Sequence, residues 1–381
     1  MAKEKANKKS RLFLSGKLDL TLLFIVLILL TIGLVMLFSA SYVYSYEYKN
    51  HNSYQFILKQ SFFAAIGLVA MFAFSKFDYH KLRKFSWLLY GVTLVLLALL
   101  LIMPPISDKT DAKRWIVIAS VNFQPSELAK FSIILLFSSL IAANQKKMGN
   151  IKFVFFLLFL LGVFCALIAF EPHISATVLI LMIGITIMFI GGLPKRYIMG
   201  GAFAGAAGVA FLIITKKISY GSDRITYWLD PWKDPTGKGF QTIQSLLAIG
   251  SGGVLGRGIG QSRQKHLWVP EPQNDFIFSI VCEELGLIGA FAIIALFALL
   301  IWRGFVIAMR SPDKFGSMLA IGITFQIGLQ AMLNIFVVTN TLPNTGISLP
   351  FFSYGGTSLV VLLAEMGIVL SVSRTANIEK T

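Results

Sequence analysis

A chain of 381 residues that is 56% hydrophobic and 14% charged, with a mean hydropathy of +0.75, carries more apolar surface than a water-soluble fold can hide. Its net charge of +16 does not indicate nucleic acid, because the basic residues fall in short clusters between apolar runs. Neither the two cysteines (Cys165, Cys282) nor the four histidines (His51, His80, His173, His266) show metal or redox spacing.

Residues 2–17 carry Lys3, Lys5, Lys8, Lys9, Arg11 and Lys17 against Glu4, and an apolar run over 18–40 follows. That run is too long for a cleaved signal peptide and reads as a retained first helix entered from the cytoplasm. Further runs of bilayer-spanning length are expected at 56–75, 85–103, 126–143, 152–170, 174–193, 197–215, 276–302, 315–339 and 351–373. The expected fold is therefore an all-α polytopic membrane protein with ten transmembrane helices. It forms a single membrane domain over 18–373, between short cytoplasmic tails at 1–17 and 374–381. The basic clusters test the count. Lys76 to Lys84, Lys146 to Lys152, Lys195–Arg196, Arg303 to Lys314 and Arg374 with Lys380 all fall on one side if every crossing alternates. Both termini are then cytoplasmic.

Two external segments exceed a simple turn. The first, 104–125, contains DAKRWIVIASVNFQPSE. The second, 216–275, is a large extracytoplasmic loop between helices 7 and 8. Tyr227, Trp228, Trp232, Phe240 and Trp268 within it argue for a folded segment, with a short amphipathic or re-entrant helix at 242–249.

Asp275 stands where this polar loop meets the apolar run 276–278. A carboxylate at that boundary is costly and marks a functional candidate, although an aspartate there also suits a helix N-cap. Glu283 and Glu284 lie two turns further on, and helical spacing could bring Asn274, Asp275 and Glu283 to one face. Glu127 and Lys130 are three residues apart in the fourth span, either as a self-satisfied pair or as lining of the same cavity. Lys113, Arg114 and Trp115 form an external basic–aromatic cluster suited to an anionic lipid headgroup or a phosphate. Arg257, Arg263 and Lys265 extend that positive field. The glycines from Gly250 to Gly260 lack the lysine and the strand of a phosphate loop, and read as turn formers.

Three stretches resemble the shape, elongation, division and sporulation family of bacterial cell-wall polymerases. They are RWIVIASVNFQPSELAKF, GFQTIQSLLAIGSGGVLGRGIGQSRQKHLWVPEPQNDFIFSIVCEELG and NTGISLPFFSYGGTSL, and the likeness covers nearly the whole chain after Leu18. GQSRQK followed by PEPQNDFIF is more similar to the division and sporulation branch than to the rod-elongation branch. The resemblance implies a peptidoglycan glycosyltransferase that polymerises lipid II at the outer face of the bacterial cytoplasmic membrane. Asp275 matches the family's essential aspartate. It would be the general base of one inverting displacement, taking the acceptor hydroxyl's proton.

The pyrophosphate leaving group would be met by Lys113 and Arg114, with Arg224, Arg263 and Lys265 behind them, or by a divalent cation such as Mg or Mn. Trp115, Glu127, Lys130, Gln261, Ser262, Glu271 and Asn274 are further expected substrate contacts, with Glu283 and Glu284 in the cavity as base-tuning or metal residues. The implied partners are lipid II, a class B penicillin-binding protein, other division proteins and membrane lipid. The rival reading is a lipid II flippase; against it, the polar residues gather on one side of the membrane.

Overall fold

The computed structural model describes residues 16–49, 51–103, 114–118, 121–171, 173–197 and 219–376. Lys113 and nearly all of the span expected at 197–215 lie outside these residues. The described helices are α1 (Leu20–Tyr48), α2 (Gln55–Lys76), α3 (Leu82–Ile102), α4 (Pro125–Ala143), α5 (Ile151–Phe170), α6 (Ile174–Ile190), α7 (Ser219–Leu229), α8 (Phe240–Gly252), α9 (Ile277–Met309), α10 (Lys314–Val338) and α11 (Gly356–Ser373). Among the described residues, eight helices are long and apolar enough to cross a membrane, and α6 is a shorter apolar helix.

Short polar residues start three of these helices, α1, α5 and α10. The Asp19 carboxylate accepts from the Leu22 amide at 2.8 Å, Asn150 from Lys152 at 3.0 Å and Asp313 from Gly316 at 2.9 Å. Pro125 occupies the first turn of α4, where its missing N–H costs nothing. The long apolar interiors do the rest, with lipid as solvent. At the end of the bundle away from Asp275, Arg303 pairs with Asp19 at 2.8 Å, and the Tyr79 hydroxyl donates to Asp313.

Two departures from the expected fold matter here. Ahead of α4, Ile116–Ile118 (β1) and Val121–Phe123 (β2) form an antiparallel hairpin, with Ile116 opposite Phe123. This β element is absent from an all-α expectation, and it carries Arg114 and Trp115 on its entry. The last span begins at Gly356, not at 351, because the chain between α10 and α11 is an irregular turn. Gly346 and Phe351 both adopt positive φ there, and Pro343 and Pro350 break the helical pattern. Residues 219–275, most of the expected loop, are folded. Within them α8 overlaps 242–249, and α7 is stapled to the turn before α11. Trp228 Nε1 donates to the Asn340 carbonyl at 2.9 Å, and Arg224 Nη1 to the Asn344 carbonyl at 3.1 Å.

Helix α9 breaks at Gly286, whose φ of 69° and ψ of −169° leave the helical region. In a membrane helix such a break strands backbone groups unless protein supplies partners. The glycine-rich turn after α8 supplies them. Arg257 and Gly258 donate their amides to the Glu283 and Glu284 carbonyls, both at 3.0 Å. Leu287 and Ile288 donate to the Gly253 and Val254 carbonyls at 3.0 and 3.2 Å. A Cβ on residue 286 would fall 2.2 Å from the Gly256 nitrogen. Gly286→Ala should therefore destabilise the fold by about 1–3 kcal/mol through strain and clash. A lower melting midpoint in detergent would register it, and an unchanged midpoint would contradict it.

Candidate active site

Asp275 ends the large loop two residues before α9. The N-cap of α9 is Phe276, and no side-chain cap bond forms there among the described residues, so the carboxylate is not used as a cap. Its backbone is held from α10. Fully buried Asn334 donates Nδ2 to the Asp275 carbonyl at 2.7 Å and to the Ile347 carbonyl at 2.6 Å. Tyr354 N donates to the Gln273 carbonyl at 2.8 Å. These bonds bring the turn before α11 against the loop end. Gly346, at φ 69°, backs onto the carboxylate: a Cβ there would lie 3.6 Å from Asp275 Oδ2. Burial pushes Asp275 from its ordinary value up to about 6; its own backbone N–H works against that rise, and nearby Glu271 adds to it.

The carboxylate lines two cavities. The larger, about 520 Å³, lies between α2, α4, α6, α10 and α11 and the turns before α4 and α11. Lys130, 2% exposed, donates to Glu127 at 2.9 Å and to Gln330 Oε1 at 3.0 Å, while Ser358 Oγ donates to Glu127 at 2.7 Å. The Glu127–Lys130 pair thus is self-satisfied and lines the cavity, so both readings of its spacing hold. Trp115, Glu271 and Asn274 line the same space, with Asn274 Nδ2 donating to Glu271 at 2.7 Å. The floor lies near the middle of α10 and α11, where Gln326 Nε2 donates to Glu365 at 2.8 Å. The smaller cavity, about 410 Å³, lies under α7 and α8 and is lined by Arg224, Tyr227, Trp228, Lys238 and Thr242. Arg114, Asp275 and Gly346 border both.

At the C-terminal end of α5, buried Glu171 and His173 lie within the field of Arg114. Burial pushes the Glu171 carboxyl up to about 8 although Arg114 opposes it, and burial together with Arg114 pushes His173 down to about 3. His173 therefore borders the larger cavity as a neutral imidazole.

Six expected site residues are placed elsewhere. Gln261, Ser262, Arg263, Lys265, Glu283 and Glu284 line neither cavity. Glu283 accepts from the Ser262 hydroxyl at 2.5 Å and from the Arg263 and Gln264 amides at 2.9 and 3.3 Å. Glu284 accepts from Ser39 Oγ at 2.7 Å, the Ser262 amide at 3.2 Å and Lys265 Nζ at 3.1 Å. These carboxylates anchor the returning loop to α9. The helical-face argument misplaced them because Asn274 and Asp275 precede α9, which begins at Ile277, and because the returning loop binds both carboxylates. Nor do they make a metal centre: among the described residues no group of three or more His, Cys, Asp or Glu is arranged to hold an ion.

Residues that sequence reasoning did not assign to the site complete it. Lys59, His173, Gln326, Gln330 and Glu365 line the larger cavity, and Tyr227, Trp228 and Lys238 the smaller. Glu365 was detectable, since a lone carboxylate in the last apolar run is expensive without a cavity to face. Asn334 carried no such signal, because its role depends on two turns distant in sequence.

The chain matches the sequence profile of the FtsW, RodA and SpoVE family, described as a cell cycle protein, over residues 20–378. It is 41% identical over 328 residues to stage V sporulation protein E of Bacillus subtilis, covering 86% of this chain and 89% of that one. It is 40% identical over 327 residues to a probable peptidoglycan glycosyltransferase FtsW of Geobacter sp. (strain M18), covering 85% of this chain and 88% of that one. Among solved structures it resembles a chain from a peptidoglycan synthase complex that coordinates polymerization and crosslinking, with a TM-score of 0.79 and 30% identity over 94% of this chain and 98% of the other. Thermus thermophilus RodA gives a TM-score of 0.70 and 27% identity over the same shares. With a profile match over almost its whole length and relatives at 40% and 41% identity, the chain belongs to the FtsW, RodA and SpoVE family of cell cycle proteins.

Proposed function

We propose that this protein is a peptidoglycan glycosyltransferase that polymerises lipid II into glycan strands at the outer face of the cytoplasmic membrane, in septal wall synthesis. The observation that carries the reading is Asp275: a carboxylate raised toward neutrality, set at the meeting of two cavities beneath folded external loops. A base with a value near working pH combines adequate deprotonation with proton affinity. As the acceptor sugar hydroxyl attacks the donor's anomeric carbon, its proton passes to Asp275. The new carbon–oxygen bond forms as the bond to pyrophosphate breaks, and inversion needs no covalent intermediate. Arg114, at the same junction, faces the charge that develops on the leaving group.

The topology belongs to the same proposal: ten spans, both termini cytoplasmic, and the loop over 216–275 outside. It is supported by the basic clusters and by the nine apolar helices seen among the described residues, eight long and α6 shorter. The proposed partner is a class B penicillin-binding protein, with other division proteins around it. The likeness to a chain of a synthase complex supports that pairing. The flippase reading has less support. The polar lining ends at Gln326 and Glu365 near mid-helix, and the Asp19–Arg303 pair ties the opposite ends of α1 and α9.

The test is polymerisation of labelled lipid II by the purified chain, with and without its penicillin-binding partner. Long glycan is expected from the assembled pair. Its absence, together with transbilayer movement of lipid II in sealed vesicles, would favour transport. Asn334→Leu extends the test to positioning. Losing both bonds to the Asp275 and Ile347 carbonyls should lower kcat by about 10²-fold while KM stays nearly constant. The acid limb of the pH profile should move with it. A variant that loses only melting temperature would make Asn334 structural.

A further inference from the structure

The two cavities differ in charge, and the difference assigns them to different substrates. Both open on Asp275, Arg114 and Gly346, so a group in either reaches the same carboxylate. The larger cavity is mixed: Glu127, Glu271 and Glu365 join Asp275 against Lys59, Lys130 and Arg114, and Lys130 is engaged with Glu127. In the smaller cavity Asp275 is the one carboxylate among the described lining residues, against Arg114, Arg224 and Lys238. Its cations are set by the fold. Arg224 is oriented by the Asn344 carbonyl, and Lys238 lies with Nζ 5.7 Å from the centre of the Tyr227 ring. Tyr227, Trp228, Thr242 and Asn344 supply the flat rings and polar groups that suit sugar rings.

Resting on the polymerase reading, we propose that the cavity under α7 and α8 is the donor subsite. It cradles the donor's pyrophosphate between Arg224, Lys238 and Arg114, and the larger cavity holds the acceptor saccharide. The chemistry suits this division. The acceptor oxygen and the departing pyrophosphate oxygen must lie on opposite faces of the anomeric carbon during inversion. The electron pair of the breaking bond leaves on the pyrophosphate, which needs cations more than carboxylates around it. The hydroxyl proton goes to Asp275 on the shared wall. The acceptor, uncharged where it reacts, tolerates the mixed cavity. There exposed Lys59 lines the wall with Phe63, and it is assigned to the acceptor's own headgroup.

The experiment separates donor from acceptor with lipid II whose terminal 4-hydroxyl is capped by a galactose, so that it can only donate. Steady-state kinetics are run on the chain assembled with its penicillin-binding partner. Lys238→Gln should raise KM for the capped donor about tenfold and leave KM for uncapped acceptor within about twofold, and Lys59→Gln should do the reverse. Opposite effects would exchange the two cavities, and equal effects on both substrates would abolish the division. Binding of undecaprenyl pyrophosphate to the same complexes reads the cradle without turnover. Weaker binding in Lys238→Gln alongside no glycan from the wild type would sink the polymerase reading and leave the cradle standing. Unchanged binding with normal polymerisation would sink the cradle alone.

Discussion

Asp275→Asn should lower lipid II polymerisation by about 10²–10⁴-fold, the range expected when a general base is removed from a positioned site. Asparagine keeps the shape of the side chain and leaves the backbone bond from Asn334 intact, so the loss is chemical. The pH dependence gives the sign. Only the carboxylate form accepts the proton, so kcat/KM should rise with pH, bend near 6 and stay flat above it until another group titrates. Below the bend each pH unit costs about tenfold. The residual rate of the Asn variant should lack that limb.

Stability should move the other way. A carboxyl whose value is raised from 3.8 to about 6 is more readily protonated in the fold than in the unfolded chain. It therefore contributes stability in acid that is lost as pH rises from about 4 to 6. Above that window the variant, with no charge to bury, should be more stable by about 1–2 kcal/mol, allowing for screening on the open side. A variant both inactive and less stable at pH 8 would point to a structural role instead.

Lys265→Met should have the largest effect on stability. It removes the one lysine that pairs with Glu284, on a side chain 6% exposed facing a carboxylate that is fully buried. The Ser39 hydroxyl and Ser262 amide remain, but the charge loses its counter-ion, which costs about 3–5 kcal/mol for a buried pair. The melting midpoint and the folded yield should both fall sharply. Lys265→Met with Glu284→Gln should regain much of the loss, because the stranded charge is gone. This double variant also decides between the two roles proposed for Lys265. If it only anchors the loop, polymerisation returns with the fold. If it touches substrate, a folded double variant stays inactive.

The sequence by itself determined the solvent and most of the spans, and it singled out Asp275 as a costly carboxylate. Apolar runs as long as a bilayer leave few alternatives, and basic clusters recur at every second connection, so local composition suffices for both. It also located the folded helix at 242–249 and the partners of Glu127 and Lys130, since spacing along one helix is a local property. Only the tertiary structure decided which polar residues share a space. Glu283 and Glu284 have the same sequence signature as a catalytic pair. They are withdrawn from Asp275 because the Gly286 break turns that stretch of α9 toward the returning glycine-rich loop, whose amides and hydroxyl satisfy them. Glu365, Lys59 and Lys238 enter the site from helices and loops far apart in the chain. Asn334 joins Asp275 to Ile347 across two connections. No periodicity encodes such meetings, because they depend on how whole helices pack. The division of the site into two cavities on one carboxylate is a property of that packing alone.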